Sequence, residues 1–253
     1  MSRVESSSPS ATGTRALAWV VLAAALLEVV APVVTINGPG SSPGAGSGPD
    51  LLITPAGWAF SIWGVIYTAA IVQAVVVLVR GAERVPRRLQ VDQGLLYAAG
   101  AVWIVVAGLD SAVATAAVLL VMLLAALDGV LTVRRAGLDD RLVRLSTLVA
   151  VGLYAGWVTA AFFLNVSTAL VSLDATEADA LPWQLVVLAV AVATLAVVTV
   201  ATRGNPAYVA AGCWAMLGIA VTGASDGTTA VWVVAACAAV LLLAVALVGR
   251  RIA

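Results

Sequence analysis

Tyr154, Trp157, Ala161 and Asn165 step by three, four and four along an apolar run, so on a helix they form one stripe. The stripe carries two polar-tipped aromatics, a small side chain and an amide. That is recognition chemistry: rings to stack on, a gap to receive a flat group, and a hydrogen bond to orient it. Turned toward lipid the amide would lack partners, so the stripe faces a neighbouring helix or a pocket. The residues alone leave both readings open: Asn165 bonding another helix while the aromatics fill space, or a ligand site. Gly152 and Gly156 in the same run form a small-xxx-small pair that lets another helix come close.

A second run, Thr54-Pro55-Ala56-Gly57-Trp58-Ala59-Phe60-Ser61-Ile62-Trp63-Gly64-Val65-Ile66-Tyr67, opens with a loop stop and a helix start. Trp58 sits where an indole favours the headgroup boundary, so an interfacial belt accounts for it. Trp63 and Tyr67 lie roughly 7 and 13 Å deeper along a helix, too deep for a belt to explain both. Being four apart, they share a face and point to a packed interior or a pocket.

Other chemistries are closed off by composition. The chain has no His and no Lys; all 13 basic residues are Arg. Imidazole bases, His metal ligands, Ser-His and Cys-His pairs and Schiff-base lysines are thereby excluded. Cys213 and Cys237 fall in apolar runs and read as small buried side chains. No clustered carboxylates, metal ligands or activated nucleophile suggest an enzyme, and no cofactor is expected beyond a bound ligand. Among ionisable groups inside apolar runs, Glu28 stands out, since a charge there costs about 2.5–3.5 kcal/mol at a helix centre. It reads as a group buried between helices, or alternatively as the coupling site of a small secondary transporter. Asp128 lies near a helix end, where an Arg of the adjacent loop can pair with it.

The elements that must position these residues are membrane spans. Of 253 residues 62% are hydrophobic and only 10% charged, more apolar surface than one soluble core could hide. Cut at charged and Gly/Pro-rich breaks, with roughly 20 apolar residues per span, the chain divides into eight: 16–36, 57–79, 92–109, 112–133, 145–172, 182–202, 206–223 and 228–249. The first is too long for a signal-peptide core and contains Glu28. Arginine placement tests the division independently. Arginines flank the even-numbered loops and both ends, while the loops after spans one, three, five and seven have none. Eight spans with both termini cytoplasmic put every arginine on one side, as expected for a multi-pass protein of the cell's inner (plasma) membrane. Residues 1–14 read as a disordered cytoplasmic tail. The Gly/Pro/Ser stretch 37–50 and the acidic segment around Glu177 read as external loops. Polar and aromatic residues concentrate before residue 172, dividing the chain into a five-helix part, 15–172, and a three-helix extension, 173–253.

The two aromatic runs resemble the tryptophan-rich sensory protein / translocator protein family, relatives of the peripheral benzodiazepine receptor. That family's fifth helix carries Pro-Tyr-x-x-Trp-x-x-x-Ala-x-x-Leu-Asn, met here by Tyr154, Trp157, Ala161, Leu164 and Asn165. Its second helix carries Pro-Pro-x-Trp-x-x-Gly-Pro-x-Trp-x-x-x-Tyr, met by Pro55, Trp58, Trp63 and Tyr67, with the tryptophans one residue closer and the Gly-Pro absent. Its third-helix Asn-x-x-Trp is met by Trp103, but Gly100 stands in place of Asn. The resemblance covers roughly residues 16–172.

It implies an all-α membrane fold, a five-helix bundle here followed by three additional helices, that senses or binds a hydrophobic ligand such as a porphyrin (a tetrapyrrole) or a sterol-like molecule. The pocket is expected between helices two and five, with Trp58, Trp63, Tyr67, Trp103, Tyr154, Trp157, Ala161 and Asn165 as its residues. Expected partners are the lipid bilayer and that small molecule; a homodimer is left open and nucleic acid is not expected.

Overall fold

Each apolar run becomes one helix, because a backbone in hydrocarbon must satisfy its own hydrogen bonds. In the computed structural model, which describes residues 11–36, 50–109 and 111–251, the order is α1 (Ala11–Ile36), α2 (Ile62–Arg80), α3 (Arg87–Ala107), α4 (Ala112–Ala136), α5 (Arg141–Ser172), α6 (Leu181–Ala201), α7 (Pro206–Ser225) and α8 (Thr229–Arg251). A short 3₁₀ turn, Gly57–Ser61, leads into α2. Among the described residues there are eight helices long and apolar enough to cross a membrane and no strand, so the protein is an all-α membrane bundle. Helix α1 begins at Ala11, inside the stretch read as a tail; residues 1–10 and the loop at 37–49 lie outside the described residues.

Two helices start earlier than the charge breaks suggest. Helix α3 starts at Arg87, directly after Pro86, and α5 at Arg141. Arginine is a good helix former and reaches back to water from a helix end, so it need not terminate a span. The α5 start is fixed by Asp140, whose Oδ1 accepts from the backbone N–H of Leu142 at 2.9 Å and of Val143 at 3.1 Å. The Val143 N–H, together with Arg80 and the Leu142 N–H, holds the Asp140 carboxyl below the usual carboxylate range. Arg80 pairs with Asp140 at 3.0 Å. Asp128 also finds an arginine, at 2.6 Å from Nε and 2.5 Å from Nη2. It is Arg88, at the start of α3, not an arginine of the loop that follows α4.

Helix α5 is the hub, packing on α2, α4, α6 and α7. Its Gly152 and Gly156 are where α7 comes in. A Cβ on Gly156 would collide with the Tyr208 carbonyl and lie 2.9 Å from the Ala211 Cβ; one on Gly152 would lie 2.7 Å from Asn205 Oδ1 and 3.0 Å from the Tyr208 nitrogen. The small pair thus brings α7 backbone to backbone with α5. Asn205 caps α7 at the same place, accepting from the N–H of Ala207 at 3.0 Å and of Tyr208 at 3.2 Å. One continuous hydrophobic core runs from Trp63 and Trp157 through Leu188 and Tyr208 to Leu242.

Candidate functional site

The segment before α2 forms the roof of the site. Its backbone turns at Leu51–Thr54 and is then pinned to α7: the Ala56 N–H donates to the Gly218 carbonyl at 3.1 Å, and the Trp214 indole donates to the Ala59 carbonyl at 2.8 Å. Gly218 makes this approach possible, since a Cβ there would sit 2.8 Å from that of Ala59. Trp58 packs edge-on against Trp214 at 4.9 Å and remains 43% exposed. It lies on the outside of the roof, where an interfacial indole belongs.

Under the roof the aromatic stripes of α2 and α5 meet, and Trp63 is their centre. Its ring stacks on Tyr67 at 5.4 Å and contacts Trp103 at 5.6 Å, Tyr154 at 5.9 Å and Trp157 at 6.1 Å. Phe60 closes on Trp157 edge-on at 5.7 Å. These offset and edge-to-face arrangements are the favourable ones for aromatic rings.

Beside this cluster lies a cleft enclosing about 560 Å³ of empty space, counting the part that opens outward. Phe60, Trp63, Trp103, Trp157, Ala161 and Asn165 form one side; Leu188 and Ala191 of α6, with Ala215, Met216 and Ile219 of α7, form the other. Five of the eight residues expected from the sequence, Trp63, Trp103, Trp157, Ala161 and Asn165, therefore line one cleft. Tyr67 and Tyr154 stand beside Trp63 but do not line the space, and Trp58 is outside it. The wall from α6 and α7 was not expected. Helix α6 is mostly Ala, Val and Leu with few polar groups, and on α7 it is Trp214 and Gly218, four apart, that meet the roof.

The polar groups of the cleft are unevenly satisfied. Asn165 donates from Nδ2 to the Ala161 carbonyl of its own helix at 3.0 Å. The indole nitrogens of Trp63, Trp103 and Trp157 are buried without any hydrogen-bond partner. Buried indole N–H groups ordinarily find an acceptor, and leaving one unpaired costs on the order of 1–3 kcal/mol. The three rings line the cleft, and their nitrogens are buried rather than exposed on its surface. No group of three or more Asp, Glu or Cys among the described residues is arranged to hold a metal.

A family model described as TSPO-like protein matches residues 15–248, from the start of α1 almost to the end of α8. No curated protein and no solved structure matches the chain.

Proposed function

The chain belongs to the TSPO-like family, and from that premise we propose that it is a membrane sensor or binding protein for a flat hydrophobic ligand of the tetrapyrrole or sterol-like kind, held in the aromatic cleft. The observation that carries this reading is that Trp63, Trp103, Trp157, Ala161 and Asn165, from three helices, line one side of a single cleft. The rings of such a ligand would stack on the indoles while its edge occupies the gap over Ala161. A tetrapyrrole or a sterol-like molecule fits this description. The reading assigns no catalytic residue. It places the arginine-bearing end of the bundle in the cytoplasm of a cell whose inner membrane holds the protein. The alternative, a secondary transporter coupled through Glu28, would be supported by paired broken helices near the midplane, whereas each of α2 to α8 is continuous.

Titration of the purified protein with protoporphyrin, followed by quenching of tryptophan fluorescence, tests the proposal. Trp157→Ala removes one stacking surface worth about 0.5–1.5 kcal/mol, so binding should weaken by up to roughly tenfold. Ala161→Phe should fill the gap and abolish binding while the bundle stays folded. Equal quenching of wild type and both variants would assign the stripe to core packing.

A further inference from the structure

Glu28 is completely buried between helices, and its presence there depends on Gly100. The Tyr154 hydroxyl donates to Oε1, while Oε2 has no hydrogen-bond partner. A Cβ on Gly100 would fall onto the Glu28 carboxyl and 2.6 Å from the Tyr154 hydroxyl.

The titratable groups facing Glu28 are tyrosines on each neighbouring helix: Tyr67 on α2, Tyr97 on α3 and Tyr154 on α5. None of them supplies a positive charge to balance a carboxylate, so the packed site accommodates the neutral acid. The niche is also adjacent to the cleft. Trp63 stacks on Tyr67 and meets Tyr154 edge-on, and its ring lines the cleft. Trp63 thus stands between the cleft and two of the tyrosines that face Glu28.

We propose that Glu28 is a proton-binding site linked to occupancy of the aromatic cleft: a ligand that holds Trp63 in place keeps the carboxyl dry and protonated, and the proton leaves when the cleft empties and Trp63 yields. This rests on the cleft being the ligand site. On release, the carboxyl O–H bond breaks, the proton passes to water entering through the cleft, and the carboxylate keeps the hydrogen bond from Tyr154. Binding reverses the step and takes up one proton. Because linkage is reciprocal, ligand affinity falls as pH rises through the window in which the empty protein has lost the proton and the occupied one retains it, by up to about tenfold per pH unit.

Two measurements on the full chain decide it. The first is tryptophan emission of the ligand-free protein from mildly acidic to mildly alkaline pH. Wild type should show a single titration that Glu28→Gln lacks, and Tyr154→Phe, which removes the one hydrogen bond to the carboxyl while leaving the acid in place, should displace its midpoint. The second is binding of octaethylporphyrin, a macrocycle without carboxylates, over the same range. Affinity should decline with pH in wild type and stay flat in Glu28→Gln. No emission titration in wild type, or a titration that persists unchanged in both variants, overturns the proposal whatever the ligand. A titration assigned to Glu28 alongside porphyrin binding that ignores pH overturns the linkage. If the titration is present and neither octaethylporphyrin nor protoporphyrin binds at any pH, the tetrapyrrole reading fails while the proton site stands.

Discussion

A glycine in a membrane helix is read first as a place where another helix comes close, yet Gly100 makes room for a side chain. The carboxyl of Glu28 and the hydroxyl of Tyr154 occupy the volume that a Cβ on Gly100 would need. Gly100→Ala should therefore destabilise the protein by about 1–3 kcal/mol, as overpacking does, although alanine is the better helix former. In a Glu28→Ala background the same change should cost less, because the carboxyl, the closer of the two obstructions, is gone and only the Tyr154 hydroxyl remains. Thermal unfolding of the two single variants and the double variant in detergent measures this coupling, and equal costs in both backgrounds would show that Glu28 is not what fills the space. At this scale much of the site was legible in the sequence. The steps of three and four through Tyr154, Trp157, Ala161 and Asn165 put them on one face, and that spacing holds. What spacing could not show was the partner of Glu28, since Tyr154 lies 126 residues away and nothing local links the two. Nor could it separate Trp63, which lines the cleft, from Tyr67, which shares its face but stands aside.

Helix α5 presents two working faces. Tyr154 and Trp157 look toward the aromatic cluster, and Gly152 and Gly156 toward α7. The second contact matters for the first, because α7 anchors the roof through Gly218 and Trp214 and supplies one wall of the cleft. Gly156→Val should force α7 away from α5, since the new side chain would meet a backbone carbonyl that cannot turn aside. Stability should fall by more than the roughly 1–3 kcal/mol of a flexible overpacked contact. Gly64→Val is the matched control: that glycine is exposed on α2 with nothing within 4 Å of its added Cβ. Comparable melting temperatures for the two variants would contradict the close α5–α7 approach. The sequence announced the small pair but not its partner, because α7 carries no polar stripe to identify it. The starts of α3 and α5 are less legible for a different reason: arginines at a helix end look like breaks, whereas an aspartate cap at α5 and side chains reaching water let the helices run on through them.

For the molecule as a whole, the number of spans was the most legible feature, because eight apolar runs stand between charged and Gly/Pro-rich breaks, and an even count is what the positive-inside expectation asks of the thirteen arginines. The topology that follows is open to labelling. With Cys213 and Cys237 removed, single cysteines at Gly44 and Glu177 should react with an impermeant reagent from outside, and reaction only from the cytoplasmic side would contradict the proposed orientation. The boundary between a five-helix part and an extension was far less legible. The family match runs through α8, and α6 and α7 wall the cleft, so the C-terminal helices contribute to the candidate site even though their Ala, Val and Leu surfaces carry no chemical signature of it.

In the proposed binding mode a flat ligand lies between the indoles of α2, α3 and α5 on one side and α6 and α7 on the other. Photocrosslinking with a diazirine-bearing protoporphyrin, followed by mass spectrometry of the labelled peptides, tests it most directly. Label is expected at cleft positions of three helices, Ala161, Ala191 and Met216, competed away by unmodified protoporphyrin. Label confined to outward-facing positions such as Trp19 and Trp232, with the cleft untouched, would contradict it.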